Sequence, residues 1–273
     1  MCKVLNVSRS SYYAFLDRKP SNRSKEFDKF SALVKECFNE NKHIYGAIKI
    51  QKNLTEKGIP CSVKRVQRHM QRQGLRSVVV RKYNHHSNRG SIPDDKENIL
   101  NRDFTAKTPH QKLVTDITYI YVAEVGWTYL ASVMDLYSRK IIGYAYGRHM
   151  TAGLAVEAVR NACLNIKNTN GIILHSDLGS QYTSTEFEEY LQELGMIHSF
   201  SRKGNPYDNA FTKSFHAVLK KEEVYRKKYT TFKEAQRSIF EYIESWYNRK
   251  RIHGSVGYRT PQKVEEEGLE NIS

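Results

Sequence analysis

The chain has 273 residues, 39% of them hydrophobic, which is enough to bury the core of one ordinary domain and a smaller one. This composition excludes a disordered tail, no apolar run approaches the length that crosses a bilayer, and residues 1–15 lack the apolar stretch of a signal peptide. We therefore expect a cytoplasmic protein with no membrane partner.

The net charge of +15 is concentrated in the first third of the chain. Residues 1–90 contain 20 Lys and Arg against 6 Asp and Glu, whereas residues 91–273 contain 24 against 23. A basic module beside a nearly neutral one is typical of a protein that binds a polyanion with one part and performs another task with the rest. A surface that is basic only for solubility is the alternative, and the helical placement of the cations argues against it.

The first strong pattern is a helix-turn-helix. Residues 23–41 predict a helix with apolar residues on one face, and a second helix follows over about 45–57 and stops at Gly58. After a short turn, Ser62 is a good N-cap for a third helix that ends before Gly74. Upstream, residues 7–15 predict the end of another small helical unit.

The third helix of this motif is two-faced. We expect it to bury Val63, Val66 and Met70. Its other face has four cations, namely Lys64, Arg65, Arg68 and Arg72. This arrangement predicts contact with DNA, more securely with phosphates than with bases. Helix-turn-helix shapes can also be purely structural.

The four cysteines include no Cys-x-x-Cys pair, and a zinc site of Cys37, His43, Cys61 and His69 would have spacings that fit no common finger.

A change of composition divides the chain into three regions. We place a basic helical DNA-binding region at 1–90 with the helix-turn-helix near 45–74, a linker at 91–105, and a second domain at 106–273. The second domain begins with three predicted strands, 112–122, 127–135 and 140–146. Helices and strands then alternate: a helix from Thr151 to about 167, a strand at 171–175, a helix from Thr183 or Ser184, a strand at 196–200, and helices at about 209–225 and 231–247. Three antiparallel strands followed by this alternation predict an α/β fold with a mixed five-stranded sheet.

Two aspartates in this domain are candidates for chemistry. Asp116 lies inside an apolar strand, where an unpaired carboxylate is costly. Asp177 comes just after the strand 171–175, and ligands collect at strand ends in such sheets. If their strands are neighbours, the two carboxylates converge. Converging carboxylates suit Mg²⁺ or Mn²⁺, which assist the cleavage of phosphodiesters.

Motifs across nearly the whole chain resemble a known family. They include VSRSSYY, IYGAIKI, TDITYI, MDLYSRKIIGYA, HSDLGSQYTS, SRKGNPYDNA and YIESWYNRKRIHGSVGYRTPQKVEE. In this order they resemble the second-reading-frame product (OrfB) of bacterial insertion sequences whose transposase is encoded in two frames. The resemblance implies a ribonuclease-H-like core similar to retroviral integrase. It also implies a catalytic set of two aspartates and a glutamate, with Asp116 and Asp177 at the aspartate positions.

The third acid of that set is absent here. The family's glutamate follows the second aspartate after 35 residues, and at that spacing from Asp177 this chain has Lys213. The change of charge is two units in a site that balances phosphate, carboxylate and metal. We expect the Lys213 ammonium to pair with the aspartates, weak or single-metal binding, and little strand transfer. Glu222 and Glu223 point elsewhere on the same helix, and Asp208 precedes it.

Two further candidates, a basic cluster and a histidine, have weaker support. Arg202, Lys203 and Asn205 precede the helix of Lys213 and could grip a DNA backbone, or could form a solvated loop. His175, two residues before Asp177, could line the site or pack inside its strand. We leave both alternatives open for each.

The sequence thus favours a DNA transposase that cleaves phosphodiesters and transfers strands with metal help. The alternative is a catalytically inactive DNA-binding remnant or regulator, because of Lys213. A ribonuclease H is a third, less favoured alternative, which the helix-turn-helix argues against. The resemblance further implies as partners double-stranded DNA of element ends and target, the upstream-frame product or a frameshift fusion with it, and other copies of the chain on DNA. Its place would be the bacterial nucleoid.

Overall fold

The structure is a computed structural model that describes residues 2–78, 97–101, 103–202 and 209–271. Its internal contacts separate two compact units, residues 1–80 and 81–273. Within the described ranges, every helix is too short or too polar to span a bilayer.

The N-terminal unit consists of four helices, α1 (Arg9–Leu16), α2 (Asn22–Glu40), α3 (Ala47–Glu56) and α4 (Val63–Arg72). Serine side chains cap three of them, and the Ser62 hydroxyl accepts from the Arg65 N–H at 3.2 Å. The core is built from apolar residues of α2, α3 and α4: Phe30, Val34, Phe38, Ile50, Leu54, Val66 and Met70. The predicted helix-turn-helix is present.

The prediction for Val63 was wrong. The buried stripe of α4 consists of Val66, His69 and Met70, and Val63 is 36% exposed. Val63 is the first residue of the helix, where fewer side chains cover it. His69 takes part in the interior instead, stacked on Phe27 and hydrogen-bonded through Nδ1 to Ser31 Oγ at 2.7 Å.

The second unit is built on the predicted mixed sheet. Its strands are β1 (Lys112–Val122), β2 (Gly126–Asp135), β3 (Ile141–Gly147), β4 (Ile173–Ser176) and β5 (Ile197–Phe200). Their order is β3-β2-β1-β4-β5. The first three strands pair antiparallel, and β4 pairs parallel with both β1 and β5.

Helices cover both faces of the sheet. On one face α5 (Ala152–Cys163) and α6 (Thr185–Glu193) form an apolar core with Leu113, Val133 and Leu174. On the other lies α7 (Ala210–Glu222), which contacts Asp116 and Ser132 through His216. Alternate residues of β1 therefore face opposite helices. Gly143 allows β3 to approach α5, since a Cβ there would lie 2.3 Å from the Ala162 nitrogen.

Several boundaries differ from the predicted ones. Helix α5 ends at Cys163 instead of 167, and α7 ends at Glu222 and is followed by a short 3₁₀ turn, Val224–Arg226. Helix α8 (Phe232–Phe240) continues as a π-helix over Glu241–Tyr247, and α9 (Pro261–Glu270) is the last helix in the described residues. Ser184, one of two residues considered, is the N-cap of α6.

Candidate active site of the sheet domain

The strand pairing brings the two aspartates together. Strands β1 and β4 are parallel neighbours in which Val114 pairs with His175, and each aspartate lies two residues further along its chain. Neighbouring strands are about 4.8 Å apart, so the two carboxylates are placed side by side at this level of the sheet. Asp116 is buried and Asp177 is partly exposed. The convergence expected from the sequence is present.

The two carboxylates repel each other. Burial, and then the negative charge of Asp116, raise the pKa of Asp177 above its ordinary value. The Gly179 N–H, which donates to Asp177 Oδ1 at 3.0 Å, and the charge of Lys213 act in the opposite direction. Gly179 has a second role, since a Cβ there would lie 2.9 Å from the same oxygen.

Lys213 lies in the first turn of α7, beside the pair. Asn209 is the N-cap residue of this helix, and its side-chain amide donates to the Thr115 carbonyl at 3.1 Å, which ties α7 to β1 next to Asp116. The Lys213 side chain is exposed. Within the described part of the chain it makes no ion pair with Asp116 or Asp177, so the expected direct pairing is not present. An exposed lysine keeps its hydration shell, which disfavours a contact ion pair. The charge of its ammonium still lowers the pKa of Asp177 from a longer distance.

His216 is a residue of this site that the sequence analysis missed. Its Nδ1 is 3.6 Å from Asp116 Oδ2, and its Nε2 hydrogen-bonds Ser132 Oγ at 2.9 Å. The spacing of three residues from Lys213 was the available signal, because positions i and i+3 share a helix face. The signal was insufficient without knowing which strand lies under α7.

Glu222 and Glu223, rejected as substitutes for the third acid, are both buried and engaged elsewhere. Glu222 accepts from Arg251 Nη2 at 2.9 Å, Tyr242 Oη at 2.9 Å and Trp246 Nε1 at 3.2 Å. Glu223 accepts from Lys227 Nζ at 2.5 Å. Asp208 lies outside the described residues.

The remaining candidates near the pair have separate outcomes. His175 is fully buried, with its ring nitrogens 2.9 Å from Ser199 Oγ and 3.0 Å from Ser201 Oγ, which is the packed-histidine alternative. Arg202 is exposed and donates to Asn101 Oδ1 at 2.7 Å. Lys203 and Asn205 lie outside the described residues.

In the N-terminal unit, the four cations of α4 divide into two pairs. Lys64 and Arg68 are exposed to solvent. Arg65 pairs with Glu26 at 2.8 Å and lies 4.1 Å from the Phe30 ring, and Arg72 lies 4.8 Å from the Phe27 ring. The single outer face predicted from the sequence is therefore two faces: Lys64 and Arg68 face solvent, and Arg65 and Arg72 pack against α2.

The donor set around Asp116 and Asp177 fits one hard cation. In the described ranges there is no group of three or more His, Cys, Asp and Glu residues that could hold a metal, which also leaves the cysteine and histidine zinc site without support. Two carboxylates with substrate phosphates and water are a common environment for Mg²⁺. They are one acid short of the family's set.

The fold and the paired aspartates define a ribonuclease-H-like core of the integrase class. Family models match accordingly: an HTH-like domain over residues 26–83 and integrase core domains over 106–206 and 194–261. A chain in the cryo-EM structure of a simian T-cell lymphotropic virus intasome in complex with PP2A regulatory subunit B56 gamma matches with a TM-score of 0.50 at 15% identity, over 79% of this chain and 70% of that one. This likeness concerns the fold alone.

Two relatives are similar over almost their whole length. The transposase for insertion sequence element IS904 of Lactococcus lactis subsp. lactis (strain IL1403) is 38% identical, over 92% of this chain and 98% of its own. The transposase InsF for insertion sequence IS3A of Escherichia coli (strain K12) is 37% identical, over 98% of this chain and 94% of its own. The chain belongs to this family of insertion-sequence transposases with an integrase catalytic core. It is a DNA transposase by descent, and the OrfB assignment is consistent with InsF.

Proposed function

We propose that Asp116 and Asp177 are the catalytic carboxylates with which this transposase cleaves and joins DNA, and that they hold a divalent cation, Mg²⁺ or Mn²⁺. The observation that supports this is their placement on paired parallel strands, close enough for the charge of Asp116 to raise the pKa of Asp177. Two carboxylates held together against their repulsion gain free energy when a cation joins them.

The chain's own residues would orient this pair. The Ile117 N–H donates to Asp116 Oδ1 at 3.1 Å, and His216 borders the other oxygen. The Gly179 N–H fixes Asp177. A bound cation would activate the attacking water or DNA 3′-hydroxyl and stabilise charge on the phosphate. His216 acts as a positioning residue for Asp116, through its bond to Ser132.

Lys213 sets the level of activity in this proposal. The positive charge of Lys213 stabilises the ionised form of Asp177 without metal, and it repels an arriving cation. We therefore propose that this chain binds metal weakly and transfers strands slowly. No observation favours an inactive DNA-binding remnant over a slow enzyme, so that alternative is an outcome of the test.

The first test measures Mn²⁺ binding to the full chain by electron paramagnetic resonance. Lys213→Glu should tighten Mn²⁺ binding about tenfold or more, and Lys213→Gln should give an intermediate value because it removes only the repulsion. Adding Asp116→Asn to Lys213→Glu should abolish the gain. Equal affinity in the wild type and both Lys213 variants would contradict the proposal.

The second test measures strand cleavage at the element's ends, with each protein fused to the upstream product. Cleavage by Lys213→Glu well above that of the wild type supports the assignment. Full wild-type activity would refute the role given to Lys213, and no cleavage by either would leave a DNA-binding remnant. In the Lys213→Glu background, His216→Ala should weaken Mn²⁺ binding about tenfold, with partial rescue by His216→Asn, as for other residues that orient a ligand.

We also propose how the chain meets DNA and its partners. Lys64 and Arg68 would contact phosphates directly, Arg65 and Arg72 would do so while bracing α4 against α2, and Arg202, Lys203 and Asn205 would contact the strand near the aspartates. The regions 1–90, 91–105 and 106–273 would act as DNA-binding part, linker and catalytic part. Exposed apolar residues of α1, such as Tyr13 and Phe15, favour a fusion with the upstream-frame product.

The remaining proposals concern the oligomeric state and the subcellular location. The chain would form a homo-oligomer on the two DNA ends, in the bacterial cytoplasm and nucleoid. Sedimentation of the fused protein with and without element ends tests the assembly. A complex that stays monomeric on paired ends would contradict it.

A further inference from the structure

Three aromatic side chains form an exposed patch on the sheet beyond Asp116. Tyr119, Tyr121 and Trp127 are 56%, 57% and 55% exposed, although the chain's other tryptophan, Trp246, is buried. Tyr121 lies opposite Trp127 in the β1–β2 pairing, and Tyr119 lies two residues before Tyr121 on the same face. We call these three residues the aromatic patch.

The rings of the patch are arranged edge to face. The Trp127 centroid is 5.2 Å from that of Tyr119 and 5.4 Å from that of Tyr121. The rings support each other in a fixed arrangement while more than half of each side chain stays in water. Large contiguous apolar surface that folding leaves exposed is typical of a binding site.

The patch is close to the aspartate pair. Tyr119 is three residues from Asp116 along β1, about 10 Å in a strand, and its side chain leaves the opposite face, so a DNA strand passing from the patch to Asp116 would go around the edge of β1. The Lys220 ammonium lies 4.2 Å from the Tyr119 ring centroid and also feels the charge of Asp116. Among the described residues, β4 pairs with β1 only through Lys112–Val114, so no strand neighbour covers the β1 edge beside the patch on that side.

The charge around the patch is positive. The hairpin tip is tied to the segment after α7, because the Ala123 and Glu124 N–H groups donate to the carbonyls of Tyr229 and Thr230 at 2.9 and 3.1 Å. That segment exposes Arg226, Lys227 and Lys228. Glu222 and Glu223, just before these cations, are buried, and the hairpin tip exposes one acid, Glu124, so the exposed cations outnumber the exposed acid. A cationic margin beside aromatic rings fits a nucleic-acid strand, with phosphates on the cations and bases on the rings.

We infer that the aromatic patch is a stacking platform for unpaired bases of a DNA strand end that is led to Asp116 and Asp177. Paired bases inside a duplex offer no free face to a ring, so the occupant must be unstacked. A second copy of the chain is the competing occupant. A symmetric pairing through the patch would bring the two cationic margins toward each other, which disfavours it. The inference rests on the proposed function for the destination of the strand.

The test measures binding of full-length protein in EDTA, so that the state of the metal site has no influence. The probes are a blunt 20-bp duplex and the same duplex with a three-nucleotide single-stranded extension at the 3′ or the 5′ end. We expect at least one extension to bind about tenfold tighter than the blunt duplex and to quench Trp127 fluorescence. Tyr119→Ala/Trp127→Ala should bind all probes like the blunt duplex, with the blunt-duplex Kd unchanged.

Two further variants make the result specific. Phe240→Ala, which removes an exposed aromatic outside the patch, should keep the preference for the extension. Arg226→Gln/Lys228→Gln should lower the slope of log K against log salt for the extended probe by about 1.4, at about 0.7 per phosphate contact on a single strand.

Other outcomes would overturn the inference. One is a preference that survives in the double patch variant, and another is an equal loss of affinity for blunt and extended probes. A patch variant that changes the sedimentation mass of the free protein but not the preference would assign the patch to self-association. Asp116→Asn separates the two proposals, because it should abolish cleavage and leave the preference intact. If the protein prefers the extended probe but the Lys213→Glu variant cleaves no DNA, only the proposed function is contradicted.

Discussion

The two units of this transposase differ in how deeply their ion pairs are buried. In the N-terminal unit the ion pairs are at the surface, as in Arg65–Glu26, where the two side chains are 36% and 69% exposed. The sheet domain has exposed pairs such as Arg237–Glu241, but it also has the buried pair Arg251–Glu222, which is 11% and 1% exposed and joins residues 29 positions apart. Surface cations of the first unit are available to a polyanion, whereas buried charges of the second fix the arrangement of helices around the site. Three experiments on charged groups and one on backbone packing test these differences.

The largest effect is expected at the buried pair of the sheet domain. Arg251→Met leaves Glu222 buried with only its tyrosine and tryptophan donors, so the free energy of unfolding should fall by about 3–5 kcal/mol. Urea unfolding followed by tryptophan fluorescence measures it. The double variant Arg251→Met/Glu222→Leu should recover much of the loss. A single variant as stable as the wild type would show that the pair contributes little.

A smaller loss is expected where α5 approaches the sheet. Gly143→Ala puts a Cβ against the backbone of Ala158 and Ala162, which cannot yield as a side-chain end could. The strand and the helix must separate, at a cost of about 1–3 kcal/mol. The control is Gly46→Ala, because a Cβ at Gly46 meets no atom within 4 Å. Gly171→Ala is unsuitable because Gly171 has a φ of +78°, a conformation that strains alanine. Thermal unfolding of the two variants should therefore differ, and equal midpoints would refute the packing argument.

The cations of α4 should separate into two classes. Lys64→Gln and Arg68→Gln should each reduce the salt slope of duplex binding by about 0.9 and leave stability unchanged. Arg65→Gln should also destabilise the N-terminal unit by up to about 1 kcal/mol, since it loses Glu26 and the Phe30 ring. Hydrogen exchange in α2 and α4 measures the difference. If all three variants change DNA binding and stability alike, the division of α4 into two faces has no energetic consequence.

The smallest effects are expected from acid. Burial, and then the charges of Arg65, Arg72 and Arg68, lower the pKa of His69 below 6.5. Burial alone would raise the pKa of Glu265, but hydrogen bonds from His110 and Lys140 outweigh it and lower the pKa below 4.5. Because the unfolded chain takes up a proton before the folded one in both cases, stability is lost as pH falls, below 6.5 in the first unit and below 4.5 in the second.

Probes specific to each unit can test whether the N-terminal unit loses stability at a higher pH than the sheet domain. Both tryptophans lie in the sheet domain, so their fluorescence reports on that unit, and hydrogen exchange reports on α2–α4. His69→Gln should remove the loss that begins near pH 6.5, and Glu265→Gln part of the one below pH 4.5. Simultaneous onset in both units would contradict the assignment.

Much of the fold could be predicted because it follows local periodicity. Strand β1 was predicted at its observed bounds, and Ser62 and Thr151 cap helices as expected, since a cap depends only on the following three residues. The end of α5 at Cys163 was not predicted, and neither was the π-helix at Glu241–Tyr247, which is followed by a residue bonded to a distant strand. That residue, Asn248, hydrogen-bonds the backbone of Ile141 across 107 positions.

The candidate site was predicted in part. The strand context singled out Asp116 and Asp177, and the family resemblance pointed to Lys213 as the position of the missing acid. They gave no role to His216, whose contacts with Asp116 and Ser132 require knowing that α7 lies over that face of the sheet. The helical periodicity also grouped Arg65 with Lys64. A helical wheel shows in which direction a side chain points, but not which neighbouring segment it contacts there.

The class of fold, the basic first third and the absence of an acid at position 213 could be read from the sequence, because periodicity, composition and residue identity are local properties. Three other features required the folded chain: the placement of Asp116 and Asp177 at paired strands, the ion pair of Glu222 with Arg251, and the exposure of Tyr119, Tyr121 and Trp127 to solvent. Pairing and burial depend on which segments meet across the chain, and that follows from closing the sheet and packing its helices.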